Sequence, residues 1–378
     1  MLITNADADL ELFGDVIDDF AEHYLAPAAK DTDRYPFSSD AANVIEDRFE
    51  RLFQLGLLGI TTPARLGGTE QGITALCMAL GKIAQVDASY AGFMFTSVLS
   101  QELLLRTADD ECLSALYVDA TSARDCAVAF CSFTDPAQSD RLPSATRRQT
   151  DFVLSGRAEY VVLGGFSRHA IVPAKVDDEQ GYSLFLIDLG QHGVERSAPI
   201  VSLGLHALPA VDLTLTGVSG AILGGTGHGG RYLRAAAAVL DVATASISAG
   251  IMRASFTAAH EYARHRRQGG REIINWSEVR MILANMVMRT TTADLLIAEC
   301  CRQQDASAGT AHAGRATALL VHEMAADVVT DGVQVLGGNG YTKDYGQEKL
   351  YRDARQAQSL LGAHMSRKLT LLDSLTTD

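Results

Sequence analysis

The residues best suited to chemistry are few, and most sit beside glycine-marked turns. His265-Arg266-Arg267-Gln268-Gly269-Gly270 ends a long helical stretch with two guanidiniums and a flexible turn. Such a pair either solvates a basic helix C-terminus, where positive charge is favourable anyway, or grips a phosphate through charge-assisted hydrogen bonds. Gln334 precedes Gly337-Gly338 by about one helical turn. The two glycines either stop a helix or let a bound molecule approach the backbone, since glycine has no Cβ. Gly225-Thr226-Gly227-His228-Gly229-Gly230 imitates a dinucleotide-binding loop, but no βαβ unit surrounds it, so it reads as a domain connector. The ten histidines show no HxxxH or HExxH spacing and the six cysteines no CxxC, so no metal site is expected.

The elements that must position these residues follow from composition and periodicity. With 378 residues, 47% of them hydrophobic and 21% charged, the chain can pack two or three cored domains. Apolar residues recur at helical spacing from Phe13 to Leu25, and again around Val44–Leu57, Ala75–Ile83, Phe95–Leu105 and Cys112–Val118, with a loop at Pro63–Gly68. After Cys126 the pattern shortens to β-type segments at Ala127–Phe133, Phe152–Leu154, Tyr160–Val162, Ala170–Val176, Tyr182–Ile187 and Val211–Leu215, with Ser155-Gly156-Arg157 as a hairpin turn. From Arg231 the helical period returns. One helix runs to about His265, a second follows the capping-box spacing Asn275-Trp276-Ser277-Glu278, a third covers Gly314–Leu336 and a fourth ends the chain. The expectation is an α+β protein: an N-terminal helical domain (1–124), a middle β-domain (125–228) and a C-terminal four-helix bundle (229–378).

The net charge of −14 excludes a phosphate-tracking nucleic-acid surface. No apolar run reaches the roughly 18 uninterrupted residues of a membrane span, and the acidic start lacks the basic region of a secretory signal. A cytoplasmic protein with reduced thiols is expected.

Several stretches resemble the acyl-CoA dehydrogenase family. They are Leu55-Gly56-Leu57-Leu58-Gly59-Ile60 with Gly67-Gly68, Ile83-Ala84-Gln85-Val86-Asp87-Ala88-Ser89, Gln334 to Thr342, and Glu348-Lys349-Leu350-Tyr351-Arg352-Asp353-Ala354-Arg355. The resemblance covers nearly the whole chain in order. It implies FAD held between the β-domain and the bundle, with a neighbouring subunit completing the site and an acyl-CoA thioester against the flavin. By the same resemblance Arg266 would pair with the FAD diphosphate, and Gln334, Gly337 and Gly338 would face the cofactor. Thr134 would contact the flavin, Ser139 the cofactor or the CoA, and Tyr160 would cover a flavin face. The resemblance also implies a homotetramer, or a hetero-oligomer with a homologous subunit, and an electron-transfer flavoprotein as acceptor.

Four positions depart from that pattern. Val162 lacks a hydroxyl, Gly269 stands where the family has an aromatic, Ala363 replaces a threonine, and Leu361 falls where the family carries its catalytic glutamate. Leucine cannot accept a proton. The N–H of Gly362 would still meet a thioester carbonyl. Asp241 lies at or beside the position where some members place a relocated glutamate; it is a base or simply an arginine's partner. His364 falls on a different helix face from Leu361. Three functions follow: an FAD-dependent oxidoreductase acting on the CH–CH group of an acyl-CoA-type thioester with a relocated base, a non-catalytic subunit of a hetero-oligomeric dehydrogenase, or a flavin oxidase or oxygenase on the same scaffold.

Overall fold

The computed structural model describes residues 5–376 apart from 37, 150 and 178. Its first part is helical: α1 (Asn5–Phe20), α2 (Ala26–Arg34), α3 (Ser39–Gln54) and α4 (Ile73–Thr107), then the short α5 (Asp110–Leu113) and α6 (Ala123–Cys126). A single π-helical turn, Ala21–Leu25, joins α1 to α2. The stretches at 75–83 and 95–105 are the two helical halves of α4, one on each side of a kink. That helix bends at Asp87, whose backbone is extended (φ −152°, ψ 112°). Its carboxylate accepts from the Ser89 N–H (2.9 Å), recapping the second half of the helix as an N-cap aspartate does.

The middle part holds β1 (Val128–Ala129), β2 (Ser144–Arg148), β3 (Asp151–Val162), β4 (His169–Val176), β5 (Ser183–Asp188), β6 (Val194–Arg196) and β7 (Ala210–Leu223). Pairings β4–β2, β2–β3, β3–β7, β7–β5 and β5–β4 close a ring, with β1 added on β4 and β6 on β7. Closure leaves few free edges. Ser155-Gly156-Arg157 is not a hairpin turn: β3 runs straight through it. Gly156 (φ +125°) takes up a register shift against β7, so a glycine that signals a turn here absorbs a bulge. The reversal from β2 to β3 lies just before residue 151, where Gln149 has φ +56°.

The last part contains α7 (Gly229–His265), a two-stranded ribbon of β8 (Arg267–Gln268) and β9 (Arg271–Glu272), α8 (Ser277–Asp305), α9 (Ala311–Leu336), α10 (Gln347–Ala357) and α11 (His364–Thr376). The fourth member of the bundle is thus two helices broken at 358–363. Asn275 is not an N-cap. It closes a 3₁₀ turn and donates to Glu272 (3.3 Å), and Trp276 occupies the N-cap position without a side-chain cap. Cross-links between distant segments bind the helical parts together. Asp305 at the end of α8 accepts from the Ile73 and Thr74 N–H groups (2.9 and 3.2 Å), capping α4 from 232 residues away. Lys349 on α10 meets Asp87 at the bend of α4.

Helices α7 and α8 are long and apolar enough to cross a membrane by length and composition. The apolar window of α7 is 83% buried inside the protein, that of α8 only 28%.

Candidate functional site

The turn after α7 and the end of α9 border an open cavity of about 740 Å3, lined by Arg266, Gln268, Gly269, Trp276, Gln334, Gly337 and Gly338 among others. Four of the residues picked from the sequence therefore come together: Arg266, Gln334, Gly337 and Gly338. The two arginines of the turn differ. Arg267 is tied to Glu272 (2.8 Å) and to the Gly270 carbonyl (3.0 Å). The Arg266 guanidinium has no ion-pair or hydrogen-bond partner among the described residues, and it lines the cavity. Gly337 takes φ +58°, and a Cβ built on it or on Gly338 would meet nothing within 4 Å. The backbone therefore opens onto free space where side chains would intrude.

Thr134, Ser139 and Tyr160 lie on the β-part. The Thr134 N–H and hydroxyl both donate to the Cys131 carbonyl (3.1 and 3.2 Å). Asp135 caps the next turn through the Ala137 N–H (3.0 Å). Ser139 lines a second cavity of about 500 Å3 with Lys175, Tyr182, His228, Arg231 and Arg234, four of which carry or can carry positive charge. Tyr160 sits at a β3–β7 register shift with φ +51°. Asp212 holds it there by accepting from its N–H (2.8 Å), and Arg157 holds Asp212. Burial raises the Asp212 carboxyl, but Arg157 and the Tyr160 N–H outweigh it and leave it below its ordinary range. The Tyr160 hydroxyl accepts from Gln356 of α10 (3.0 Å), and Phe133 meets its ring edge-on at 5.7 Å.

The break between α10 and α11 carries Leu361 and Gly362, with φ +65° and +113°. Leu361 donates its N–H to the Ser132 carbonyl (2.8 Å), which sets this turn against the loop that carries Thr134. A Cβ on Gly362 would come 3.2 Å from Asp135. The Gly362 N–H, expected to face a thioester carbonyl, donates to Ser359 (3.0 Å) within its own turn.

Asp241 is fully buried on α7. One carboxylate oxygen meets the Arg315 Nε at 3.2 Å and the other pairs with Arg367. Arg367 also donates to the Leu360 carbonyl (2.9 Å), so the pair reaches the turn that carries Leu361. Thr244 donates to the Asp241 carbonyl (2.8 Å) and therefore accepts from His322 Nε2 (3.2 Å), which leaves His322 Nδ1 to accept from Ser248 (2.8 Å). His322 is held neutral well below its ordinary pKa, first by burial and then by Arg367 and His364. His364 stands T-shaped to His322 at 6.2 Å, facing Glu323.

A histidine whose folded pKa is depressed favours the unfolded chain once pH falls below the unfolded value near 6.5, at about 1.4 kcal/mol per pH unit. Stability measured by urea unfolding should therefore fall from pH 6.5 to pH 5.5, and His322→Asn should flatten that slope. An unchanged slope in the variant would remove His322 from this role.

The residues that sequence reasoning missed are Trp276, Asp212, Arg315 with Arg367, and the cations beside Ser139. Trp276 carried one signal, as the single tryptophan of the chain seven residues after Gly269; the others are contacts between distant segments.

Residues 7–117 match the acyl-CoA dehydrogenase N-terminal domain and residues 227–375 the C-terminal domain. A 3-(aryl)acrylate reductase of Clostridium sporogenes is 28% identical over 358 residues, covering 91% of this chain and 92% of the relative. A probable acyl-CoA dehydrogenase of Mycobacterium leprae is 26% identical over 369 residues, covering 94% and 92%. The solved butyryl-CoA dehydrogenase of Megasphaera elsdenii superposes with a TM-score of 0.87 at 21% identity, covering 97% of this chain and 98% of that one.

Proposed function

Because the chain belongs to the acyl-CoA dehydrogenase family, we propose that it holds FAD and acts as an oxidoreductase on the Cα–Cβ bond of an acyl-CoA-type thioester. The observation that carries this reading is the cavity where Arg266, without a partner among the described residues, shares a wall with the open backbone of Gly337-Gly338. A diphosphate takes a planar, permanently charged donor and a backbone without Cβ atoms. Gln334 on the same wall adds a polar group, and Thr134, Ser139 and Tyr160 would contact the flavin end from the β-part. When bound, FAD supplies the hydride acceptor for the β-carbon. Lys175, Arg231 and Arg234 beside Ser139 supply charge for the phosphates of a CoA.

The chain's own base is the difficult part. Leu361 has no proton acceptor, and both oxygens of Asp241 are engaged by guanidiniums. To take a proton, Asp241 would have to give up one of them. This pairing favours a second reading, in which the chain is the subunit without a base in a hetero-oligomer whose homologous partner supplies the carboxylate. Assembly has support in α8, whose exposed face carries Met281, Met288 and Leu295 at seven-residue spacing, each 64–67% exposed. A homotetramer would cover the same face. An electron-transfer flavoprotein is the expected acceptor, and the cytoplasm the expected compartment.

The visible spectrum of the purified chain separates these readings. A yellow protein bleached by acyl-CoA supports the chain as an enzyme by itself. A colourless protein that gains flavin only when co-purified with a homologous subunit supports the second reading and ends the first. Oxygen uptake with NADPH points instead to the oxidase or oxygenase alternative. In the first case Asp241→Asn decides the base: lost bleaching with flavin retained assigns the proton to Asp241, whereas unchanged bleaching removes it.

A further inference from the structure

The aromatic residue that the turn lacks at Gly269 is supplied from another position. Gly269 adopts φ +63°, and a Cβ built on it would lie 2.9 Å from Cζ2 of Trp276. A side chain on residue 269 and the indole of Trp276 therefore compete for one space. The indole holds it firmly. Arg271 lies over one face, 3.7 Å from the ring centroid, and Nε1 donates to the Gln268 carbonyl (3.2 Å). The same indole lines the cavity of Arg266, Gln334, Gly337 and Gly338. Three kinds of group thus meet in one place: a guanidinium without a partner among the described residues, a backbone without side chains, and a flat aromatic surface anchored by a hydrogen bond and a cation–π contact. A nucleoside diphosphate uses all three, the charge for its phosphates and the ring for its base.

We propose that Trp276 replaces the aromatic missing at Gly269 and packs against the adenine of the dinucleotide held in this cavity. The inference rests on the reading that the chain binds FAD, since an ADP group also occurs in CoA. Arg271 fixes the ring in its place, so little side-chain freedom is lost on binding.

Trp276 is the single tryptophan in the sequence, so tryptophan emission reports this ring alone. ADP added to protein stripped of flavin should quench the emission, and FAD should displace the ADP where CoA does not. Trp276→Ala should weaken FAD retention roughly tenfold, within the range that removing an aromatic from a stacked base costs. Trp276→Phe should lose far less, and Gly269→Phe placed in the Trp276→Ala chain should recover much of the loss. Should Trp276→Ala fail to fold, the ADP titration of the native chain carries the test. Equal FAD affinity in native and Trp276→Ala protein overturns the proposal and leaves the flavin reading intact, as does emission that ADP leaves unchanged in a chain that still takes up FAD. Displacement of ADP by CoA and not by FAD also overturns it. A chain that takes up FAD in no form overturns both.

Discussion

Lys349→Ala should cost the fold about 3–5 kcal/mol, the usual effect of removing one partner from a buried charge cluster. The Lys349 ammonium bonds Asp353 (2.6 Å) and Asp87 (3.1 Å), and these carboxylates are 0% and 1% exposed. Burial pulls the Lys349 pKa down, yet Asp353 and Asp87 outweigh it and hold the ammonium charged. The other oxygen of Asp353 accepts from the Leu205 N–H (2.7 Å) of the β-part. Beside them Arg352 pairs with Asp33 of α2 (2.7 Å) and with Glu348 (2.6 Å), and His206 meets Asp33 at 3.1 Å. One segment of α10 thus fastens α2, the bend of α4 and the β-part. Without the ammonium, two buried carboxylates face each other unpaired. Urea unfolding of the purified variant measures the loss. The triple change Lys349→Met, Asp87→Asn and Asp353→Asn removes the charges together and should recover a large part of it. A loss below about 1 kcal/mol for Lys349→Ala would show that water or neighbouring groups already compensate.

Asp87, Lys349, Arg352 and Asp353 stand in the stretches that resemble the family most closely, yet nothing in their spacing says that residues 87 and 349 touch. The long helices were legible because their apolar period is unbroken from Arg231 to His265 and from Gly314 to Leu336. Short strands such as β2 and β6 were not, since Ser144–Arg148 and Val194–Arg196 are largely exposed and carry no alternation. Gly156 misled because the freedom that suits a turn also suits a bulge. Asn275 misled because capping spacing fixes no cap when the side chain finds another partner, here Glu272.

At the candidate site the glycines and Arg266 were legible as residue types, and the structure brings them to one cavity. Their separation from Thr134, Ser139 and Tyr160 was not. Thr134 and Ser139 line cavities other than that of Arg266 and the glycines, and Tyr160 is turned to Gln356 and Phe133. The double clamp on Asp241 was half visible: an arginine partner was one of its two expected roles, but Arg315 and Arg367 lie 74 and 126 positions away.

Leu361→Glu should raise the rate at which acyl-CoA bleaches the flavin by roughly 10² to 10⁴, the usual contribution of a general base. The backbone is ready for it. Residue 361 already holds φ +65°, a conformation as costly for leucine as for glutamate, so the exchange adds no backbone strain. The side chain is half-buried, and the Leu361 N–H bond to Ser132 fixes its Cα beside the loop of Thr134. A carboxylate in that partly apolar place loses hydration, so its pKa should lie above the ordinary glutamate value. The gained rate should therefore rise with pH through that pKa, because only the ionised form accepts a proton. Anaerobic stopped-flow on the flavin-loaded variant, at several pH values, reads both effects. Leu361→Gln has nearly the same shape and no base, so it should gain nothing. If the glutamine variant gains as much, the effect is polarity and not proton transfer. If the glutamate variant keeps its flavin and gains nothing, a missing base at 361 is not what limits this chain, and the proton leaves by another route or the reaction needs none.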